Sequence, residues 1–487
     1  MRLGNSTPLL EGETIMSWVS RLARDEADAD PFRFLNLLEI NRKDILETTE
    51  TGLERLERLT GLPRPVIERG AYLKISERFY QYRGQQFHAE FAGRERISFC
   101  PACLLDDASP ESHSRGRRVG RMNWVFAPVR TCPIHRIPLT LRMAGTYAER
   151  FMDMALVAPD DESLRELMSA ATERDVSDLQ SYVENRLDGR QGPSWLDGQQ
   201  IDLATRATEM LGACLLFGSH VDLPGLTEDQ WDAAGAVGFA YTSRGEAGIH
   251  DALDEMVRRF STENIKGGQQ AIFGRLYQWL QFNKSAKPRG PIRDVVRGYI
   301  LDNMAVEPGT RLFGEKVTIR HRHSVASLSK QAGVHPKTLN RALVLTGLMP
   351  DGDPDRVNGL LSVEATLGEE LAERVRRSVS VKQMPKWLNC NRLQAEMLIR
   401  HSLVYRIGSS DSHEGRGRGS RGLSGPAPRK RNSGQLSKSG NEIRCRCLPH
   451  SASTCHRNRQ GDPRRRPCPS RTPPGRASVR FCFRRSR

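Results

Sequence analysis

Cys100, Cys103, Cys132 and His135 are the residues of this sequence whose types and spacing could do chemistry together. They form two pairs, Cys100-Pro101-Ala102-Cys103 and Cys132-Pro133-Ile134-His135, each with two residues between the ligands and proline after the first. A tight turn of this kind aims two soft ligands at one point, and two such turns complete the tetrahedron that zinc prefers. The 28 residues between Cys103 and Cys132 are no obstacle, because only the spacing inside each knuckle is constrained. Four protein ligands close the shell and leave no position for water or substrate. One structural Zn2+ per chain is therefore expected, with no catalytic residue. The alternative is four unrelated buried residues, a coincidence that two independent spacings make small.

An enzymatic reading has one foothold. His88-Ala89-Glu90 ahead of Cys100 and Cys103 is similar to the zinc deaminase pattern, in which His-x-Glu supplies a ligand and a proton shuttle. Nine residues separate Glu90 from Cys100, too few for the intervening strand and helix crossover. The proline also follows Cys100 instead of preceding it, so a zinc deaminase or hydrolase ranks last. Gly309 to Lys316 comes nearest a phosphate-binding loop and lacks the closing Gly-Lys-Ser/Thr. No local serine or cysteine nucleophile signature is present.

Three segments carry residue types suited to DNA. Between Ser112 and Ala148 stand Arg115, Arg117, Arg118, Arg121, Arg130, Arg136 and Arg142, with no acid. Arg115, Arg117, Arg118 and Arg121 are the expected phosphate contacts of this loop, against the plain alternative of a solvated charge run. Val325 to Leu345 reads as a helix-turn-helix. Leu328 and Ala332 pack the first helix, Gly333 supplies a left-handed turn and Val334 packs beneath it. Pro336 opens the second helix, with Leu339, Ala342 and Leu343 inward. His335, Lys337, Asn340 and Arg341 then point outward, Asn340 and Arg341 toward bases and Lys337 toward phosphate. From Arg311 to Arg341 there are seven Lys and Arg against one acid, Glu315. Val381 to Val404 repeats the layout, with Leu388 before an Asn389-Cys390 turn, Leu393, Met397 and Leu398 inward, and Arg392 and Gln394 outward.

These sites need a scaffold, and the periodicity makes it helical. Ile15, Trp18, Val19 and Leu22 share one helical face, Asp30-Pro31 starts a second helix that carries Phe34, Leu35 and Leu38, and Leu53, Leu56 and Leu59 form a third stripe stopped by Gly61. Leu253, Met256, Val257 and Phe260 mark one of several amphipathic helices between residues 160 and 300, and Lys284 to Pro291 reads as a linker. The expected fold is mainly α and multi-domain, with helix-turn-helix modules and a small ribbon-like zinc-finger insert. Its expected parts are a helical, helix-turn-helix-like domain at 1–95, the zinc knuckles at 96–145, a helical middle domain at 146–310, a helix-turn-helix at 311–350, a second such unit at 351–407 and a basic tail at 408–487.

The charge is not spread evenly. Residues 408–487 hold 20 Lys and Arg against 4 Asp and Glu, which accounts for the whole net charge of +16 and leaves the body neutral. DNA affinity must then come from local patches. The tail uses 18 Arg and only 2 Lys, holds five of the ten cysteines and shows no apolar periodicity. The abrupt break in composition suggests translation out of frame from about residue 408, with a disordered basic arm as the alternative. No run of about 20 apolar residues is present and the N-terminus has no leader pattern, so a cytoplasmic protein without a membrane partner is expected.

Glu13 to Leu38, with Ser17-Trp18-Val19-Ser20-Arg21-Leu22-Ala23, resembles the opening of the TniQ/TnsD family of transposition proteins. Ser98 to Leu104 resembles that family's first knuckle, and Asn123-Trp124 followed by Thr131 to His135 its second, so the likeness covers residues 9–142. It implies zinc on Cys100, Cys103, Cys132 and His135. It also implies a non-catalytic role, choosing target DNA or bringing together a transposase and the AAA+ ATPase of the same element; some members join CRISPR effector complexes. A second copy of the chain is a further candidate partner. Many members add a Cys-x2-Cys soon afterwards, whereas residues 136–213 here contain no cysteine, which argues against a second zinc. A zinc-containing helix-turn-helix transcriptional regulator is the alternative.

Overall fold

In the computed structural model, which describes residues 3, 7–112, 117–263, 266–282, 288–350, 357–401, 403–407 and 480–483, helix dominates and strands are short. The first apolar stripe forms α1 (Ile15–Ala27), capped by the Thr14 side chain, with Ile15, Trp18, Val19 and Leu22 buried. α2 (Pro31–Leu37) starts on Asp30, which accepts from the Phe32 and Arg33 N–H groups, with Pro31 in the first turn. α3 (Arg42–Leu46), α4 (Glu50–Thr60) and α5 (Arg64–Glu68) follow. Gly61 stops α4 at a φ of 71°, a left-handed conformation that glycine adopts without steric cost.

The chain then leaves the helical pattern. β1 (Leu73–Lys74), β2 (Phe79–Tyr82) and β3 (Gln85–His88) form an antiparallel meander that the helical reading of 1–95 did not foresee. β4 (Arg96–Phe99) leads into α6 (Pro101–Asp107) and pairs antiparallel with β5 (Thr140–Met143), Phe99 opposite Thr140. One hydrophobic cluster runs from Ile15 to Ala204, with Trp18, Phe87, Phe99, Phe126 and Phe151 among its fully buried side chains. The core is continuous across residues 95 and 145.

A polar clamp sits inside this core. The buried Arg21 guanidinium grips Glu13, Nε to Oε1 at 2.8 Å and Nη2 to Oε2 at 2.6 Å. Ser17 Oγ donates to Glu13 at 3.0 Å and accepts from the Gly120 N–H at 2.9 Å, while Ser20 Oγ donates to the Phe151 carbonyl at 3.1 Å. Trp18 Nε1 donates to the Thr7 carbonyl at 2.9 Å. The polar members of the Ser17–Ala23 stretch thus tie α1 to segments more than a hundred residues downstream.

α7 (Met154–Val157), α8 (Asp161–Ala170), α9 (Asp178–Leu187), α10 (Ser194–Asp197), α11 (Ile201–Phe217), α12 (Glu228–Thr242), α13 (Gly245–Glu263), α14 (Gln269–Gln281) and α15 (Ile292–Asn303) make the middle region. α11 and α12 touch backbone to backbone, because a Cβ on Gly212 would fall 1.8 Å from the Ala234 carbonyl oxygen and one on Gly238 2.0 Å from that of Thr208. Leu253 and Met256 of α13 are buried in a second core that runs from Ala207 to Val317, with Val257 and Phe260 packed against it. Residues 284–287 of the expected linker Lys284 to Pro291 lie outside the described residues.

A hairpin, β6 (Arg311–Leu312) and β7 (Glu315–Lys316), precedes β8 (Arg322–Ser324), α16 (Val325–Ala332) and α17 (Pro336–Leu345). Gly333 turns between the two helices with φ 65°, Pro336 opens α17, and Leu328, Val334, Leu339, Ala342 and Leu343 are buried. β9 (Ser362–Glu364) pairs with β8, and α18 (Ala365–Arg376) packs on both α16 and α17. The helix-turn-helix therefore takes its third helix from beyond residue 350.

Residues 377–487 separate as a second compact unit. It contains β10 (Val379–Ser380), α19 (Met384–Leu388), α20 (Arg392–Arg400), β11 (Val404–Arg406) and β12 (Arg480–Phe483), with strand order β10-β12-β11. Asn389 makes the expected turn at φ 53°. The expected inward face of α20 is corrected: Leu393 and Met397 are 70% and 44% exposed, and Ala395 joins Met384 and Val404 in the core. A capping box between Asn391 and Gln394 starts the helix. Apart from β12, the expectations for residues 408–487 lie outside the described residues. Among the described residues no helix is long and apolar enough to cross a membrane.

The clamp yields a stability prediction. Arg21→Met leaves the Glu13 carboxylate buried without its partner, which should cost about 3–5 kcal/mol. Adding Glu13→Gln should recover part of that loss in calorimetric unfolding. A single mutant as stable as the parent would show that the pair does not brace this core.

Candidate metal centre

Cys100 closes β4 and caps α6, whose first turn carries Cys103. The second pair sits on a hairpin in which the Cys132 N–H donates to the Ile137 carbonyl at 2.9 Å and the Leu139 N–H to the Arg130 carbonyl at 2.8 Å. Arg136 takes a left-handed φ of 54°, and the His135 N–H points at Cys132 Sγ at 3.5 Å. β4 and β5 pair beside these turns, so the strand register brings the two knuckles together.

All four donor atoms lie within 4.8 Å of one another. Cys103 Sγ is 3.6 Å from Cys132 Sγ, and His135 Nδ1 is 3.6, 3.3 and 3.6 Å from the sulfurs of Cys100, Cys103 and Cys132. Zn–S bonds of ~2.3 Å set tetrahedral edges of ~3.8 Å between sulfurs, close to what the side chains span. The three cysteines are buried and the histidine half-buried. His135 Nε2 lies 3.0 Å from Asp106 Oδ2, which orients the ring with Nδ1 toward the sulfurs. In a metal-free cluster the protons are shared unevenly. Hydrogen bonds from Cys100 and Cys103 hold the Cys132 thiol far below its ordinary range, while those with Cys100 and Cys132, together with burial, push Cys103 far up. A divalent cation held by Cys100, Cys103, Cys132 and His135 would relieve that crowding and favour all three sulfurs as thiolates. Asp106 was missed in the sequence; its signal was an acid one helical turn beyond Cys103.

His88 does not join the cluster. Its Nδ1 lies 2.6 Å from Asp202 Oδ2, and the group of four ligands does not include it. The geometry therefore does not assemble the deaminase-like arrangement of His88, Cys100 and Cys103.

The arginines between Ser112 and Ala148 find acids from elsewhere in the chain. Arg117 lies 2.8 Å from Asp25, and Arg118 reaches Asp161 and the Pro159 carbonyl. Arg121 forks onto Asp107 with both bonds at 3.0 Å and stacks over Trp124. Arg130 is buried between Glu209 and Glu228, Arg136 meets Glu173 and Asp175, and Arg142 meets Glu149. Arg115 lies outside the described residues. The described arginines of a stretch without acids in sequence are thus paired in space.

In the helix-turn-helix, His335 and Lys337 are exposed at the start of α17, where His335 Nδ1 accepts from the Lys337 N–H at 3.3 Å, and Arg341 is half-buried. The expected outward position of Asn340 is corrected, since it is only 3% exposed. Contact with α18 as well as α16 widens the buried face of α17 beyond the stripe that two helices would bury. Arg392 is exposed and pairs with Glu396 at 2.9 Å, and the exposed Gln394 accepts from the Asn391 N–H at 3.0 Å.

Residues 7–139 match the TniQ family model, so the stretch from the start of the N-terminal clamp to the end of the Cys132–His135 hairpin is a TniQ domain. A domain of that family, whose proteins are generally non-catalytic, implies an accessory part in transposition. No curated protein matches the sequence.

Purified protein should carry about one zinc per chain by elemental analysis. Cys103→Ser should lower the zinc content and the thermal stability of the fold around residues 97–142, because metal binding and local folding are one equilibrium. Metal-replete parent protein with almost no zinc would reject the assignment.

Proposed function

We propose that this chain is a DNA-binding accessory protein of transposition that positions a transposase and its AAA+ ATPase at target DNA. The observation that carries the reading is the TniQ domain joined in one chain to a three-helix helix-turn-helix unit. A closed Cys3His cluster builds and stiffens a surface; it does not supply an open metal position for chemistry. The role is then to hold partners in register, with zinc as a structural cofactor and the cytoplasm as the setting. A CRISPR effector complex or a second copy of the chain are further partners of the same kind.

DNA contact falls to the helix-turn-helix. Its second helix presents His335 and Lys337 at the exposed N-terminal end, which suits phosphate, and Arg341 one turn on, which suits the bidentate guanine edge. The buried Asn340 supports the helix from inside. Arg392 and Gln394, exposed at the start of α20, form a second contact helix. Arg117, Arg118 and Arg121 would reach phosphate only by exchanging their acidic partners, so they contribute little.

Binding of the full chain to fragments of its parent element, at several salt concentrations, tests this reading. Lys337→Ala should weaken binding to all sequences about equally and reduce the salt slope by about 1. Arg341→Ala should flatten sequence preference by roughly 1–3 kcal/mol. Asn340→Ala should lower stability more than it changes preference. A parent chain that binds no DNA at low salt, or that is dispensable for insertion of its element, would overturn the proposal.

A further inference from the structure

The two residues ahead of Cys132 are gripped by side chains far beyond them in sequence. In the hairpin, hydrogen bonds join residue 130 to 139 and 132 to 137, and Thr131 lies opposite Pro138. In such an antiparallel pair the N–H and C=O of Thr131 point away from the partner strand. Thr131 is fully buried, so these groups need partners from protein. Gln180 of α9, also fully buried, supplies both. Its Oε1 accepts from the Arg130 and Thr131 N–H groups, each at 2.9 Å, and its Nε2 donates to the Thr131 carbonyl at 2.7 Å. One primary amide does here what a neighbouring strand would do.

Arg174 completes the grip. Its Nε donates to Thr131 Oγ1 and its Nη2 to the Arg130 carbonyl, both at 2.8 Å, and its own N–H donates to the Arg136 carbonyl at 2.7 Å. Arg174 Nη1 is in turn held by Asp229 at 2.6 Å. Both flanks of the Cys132–His135 knuckle are therefore fixed from residues 174–180, beyond the end of the TniQ match at residue 139.

We propose that Gln180 and Arg174 are positioning residues of the metal centre, setting the pose in which Cys132 and His135 meet Cys100 and Cys103, so that metal retention depends on the helical middle region. The inference rests on the cluster holding zinc. Loss of such outer partners typically costs 10–100-fold in metal affinity. Gln180→Leu keeps the volume and removes three hydrogen bonds to the hairpin; Arg174→Ala removes two side-chain bonds to the hairpin, together with the Asp229 pair, and is the variant to use if Gln180→Leu does not fold.

The test uses the full chain, purified with zinc, and follows zinc transfer to a chromogenic chelator. Cobalt-substituted protein reports ligand geometry through its visible spectrum. Gln180→Leu or Arg174→Ala should speed release about tenfold or more and alter the cobalt bands. Val183→Ala, a cavity in the same helix, controls for general destabilisation, since Val183 is fully buried; it should lower the melting temperature and leave release and spectrum unchanged. Arg136→Ala, at an exposed ion pair on the knuckle itself, should also leave both unchanged. Release within twofold of the parent, or equal acceleration by Val183→Ala at the same loss of melting temperature, overturns the proposal while the zinc assignment stands. Parent protein without zinc overturns both.

Discussion

Four donors that could share one metal must meet to within a small fraction of an ångström, and here they arrive on two segments about thirty residues apart in the chain. Everything around Cys100, Cys103, Cys132 and His135 serves that convergence. β4 and β5 set the register, α6 presents Cys103, and Asp106 turns the His135 ring. The intervening loop is drawn back over α1, where the Thr14 N–H donates to the Gly120 carbonyl and Ser17 accepts from the Gly120 N–H. The N-terminal helices, the meander and the knuckles consequently share one core. A metal on the four donors would stabilise the same cluster of residues as the apolar packing, so loss of either should be felt across all of it.

Three buried polar groups that brace this core are each paired in a specific geometry. Arg21 is spent on Glu13, Arg130 on Glu209 and Glu228, and Gln180 on the backbone of residues 130 and 131. Such groups add little net free energy relative to apolar packing, but each is costly to misplace, and that cost selects one arrangement. The same pairing governs the basic stretch around the second knuckle: Arg117, Arg118, Arg121, Arg130, Arg136 and Arg142, which look like a nucleic-acid surface in sequence, meet acids within the chain.

The helix-turn-helix shows how a third element changes a two-helix reading. With α16 and α17 alone, Asn340 lies at the edge of the apolar stripe and could face solvent. α18 and the β8–β9 pairing convert the motif into a small three-helix domain, and Asn340 passes inside while His335 and Lys337 stay at the exposed end. In α20 the shift runs the other way. Leu393 and Met397 are exposed, while among the described residues Ala395 packs with Met384 and Val404.

The sequence by itself determined what depends on neighbours along the chain. Helix starts at Asp30 and Pro336, stops at Gly61 and Gly333, the face carried by Ile15, Trp18, Val19 and Leu22, and the two knuckles are all set by spacing, capping and backbone preference within a few residues. The likeness of residues 9–142 to TniQ proteins was legible for the same reason, since it is carried by compact motifs. Only the tertiary structure decided what depends on residues far apart. The meander at 73–88 has strands too short for a clear alternation. The acids that neutralise Arg117, Arg118, Arg121 and Arg130 lie in other elements, and Asp106, Gln180 and Arg174 gain their roles from where the fold places them beside the metal ligands. Periodicity and capping act over one or two turns, whereas charge pairing, burial and ligand orientation are properties of distance in space, and no local pattern encodes them.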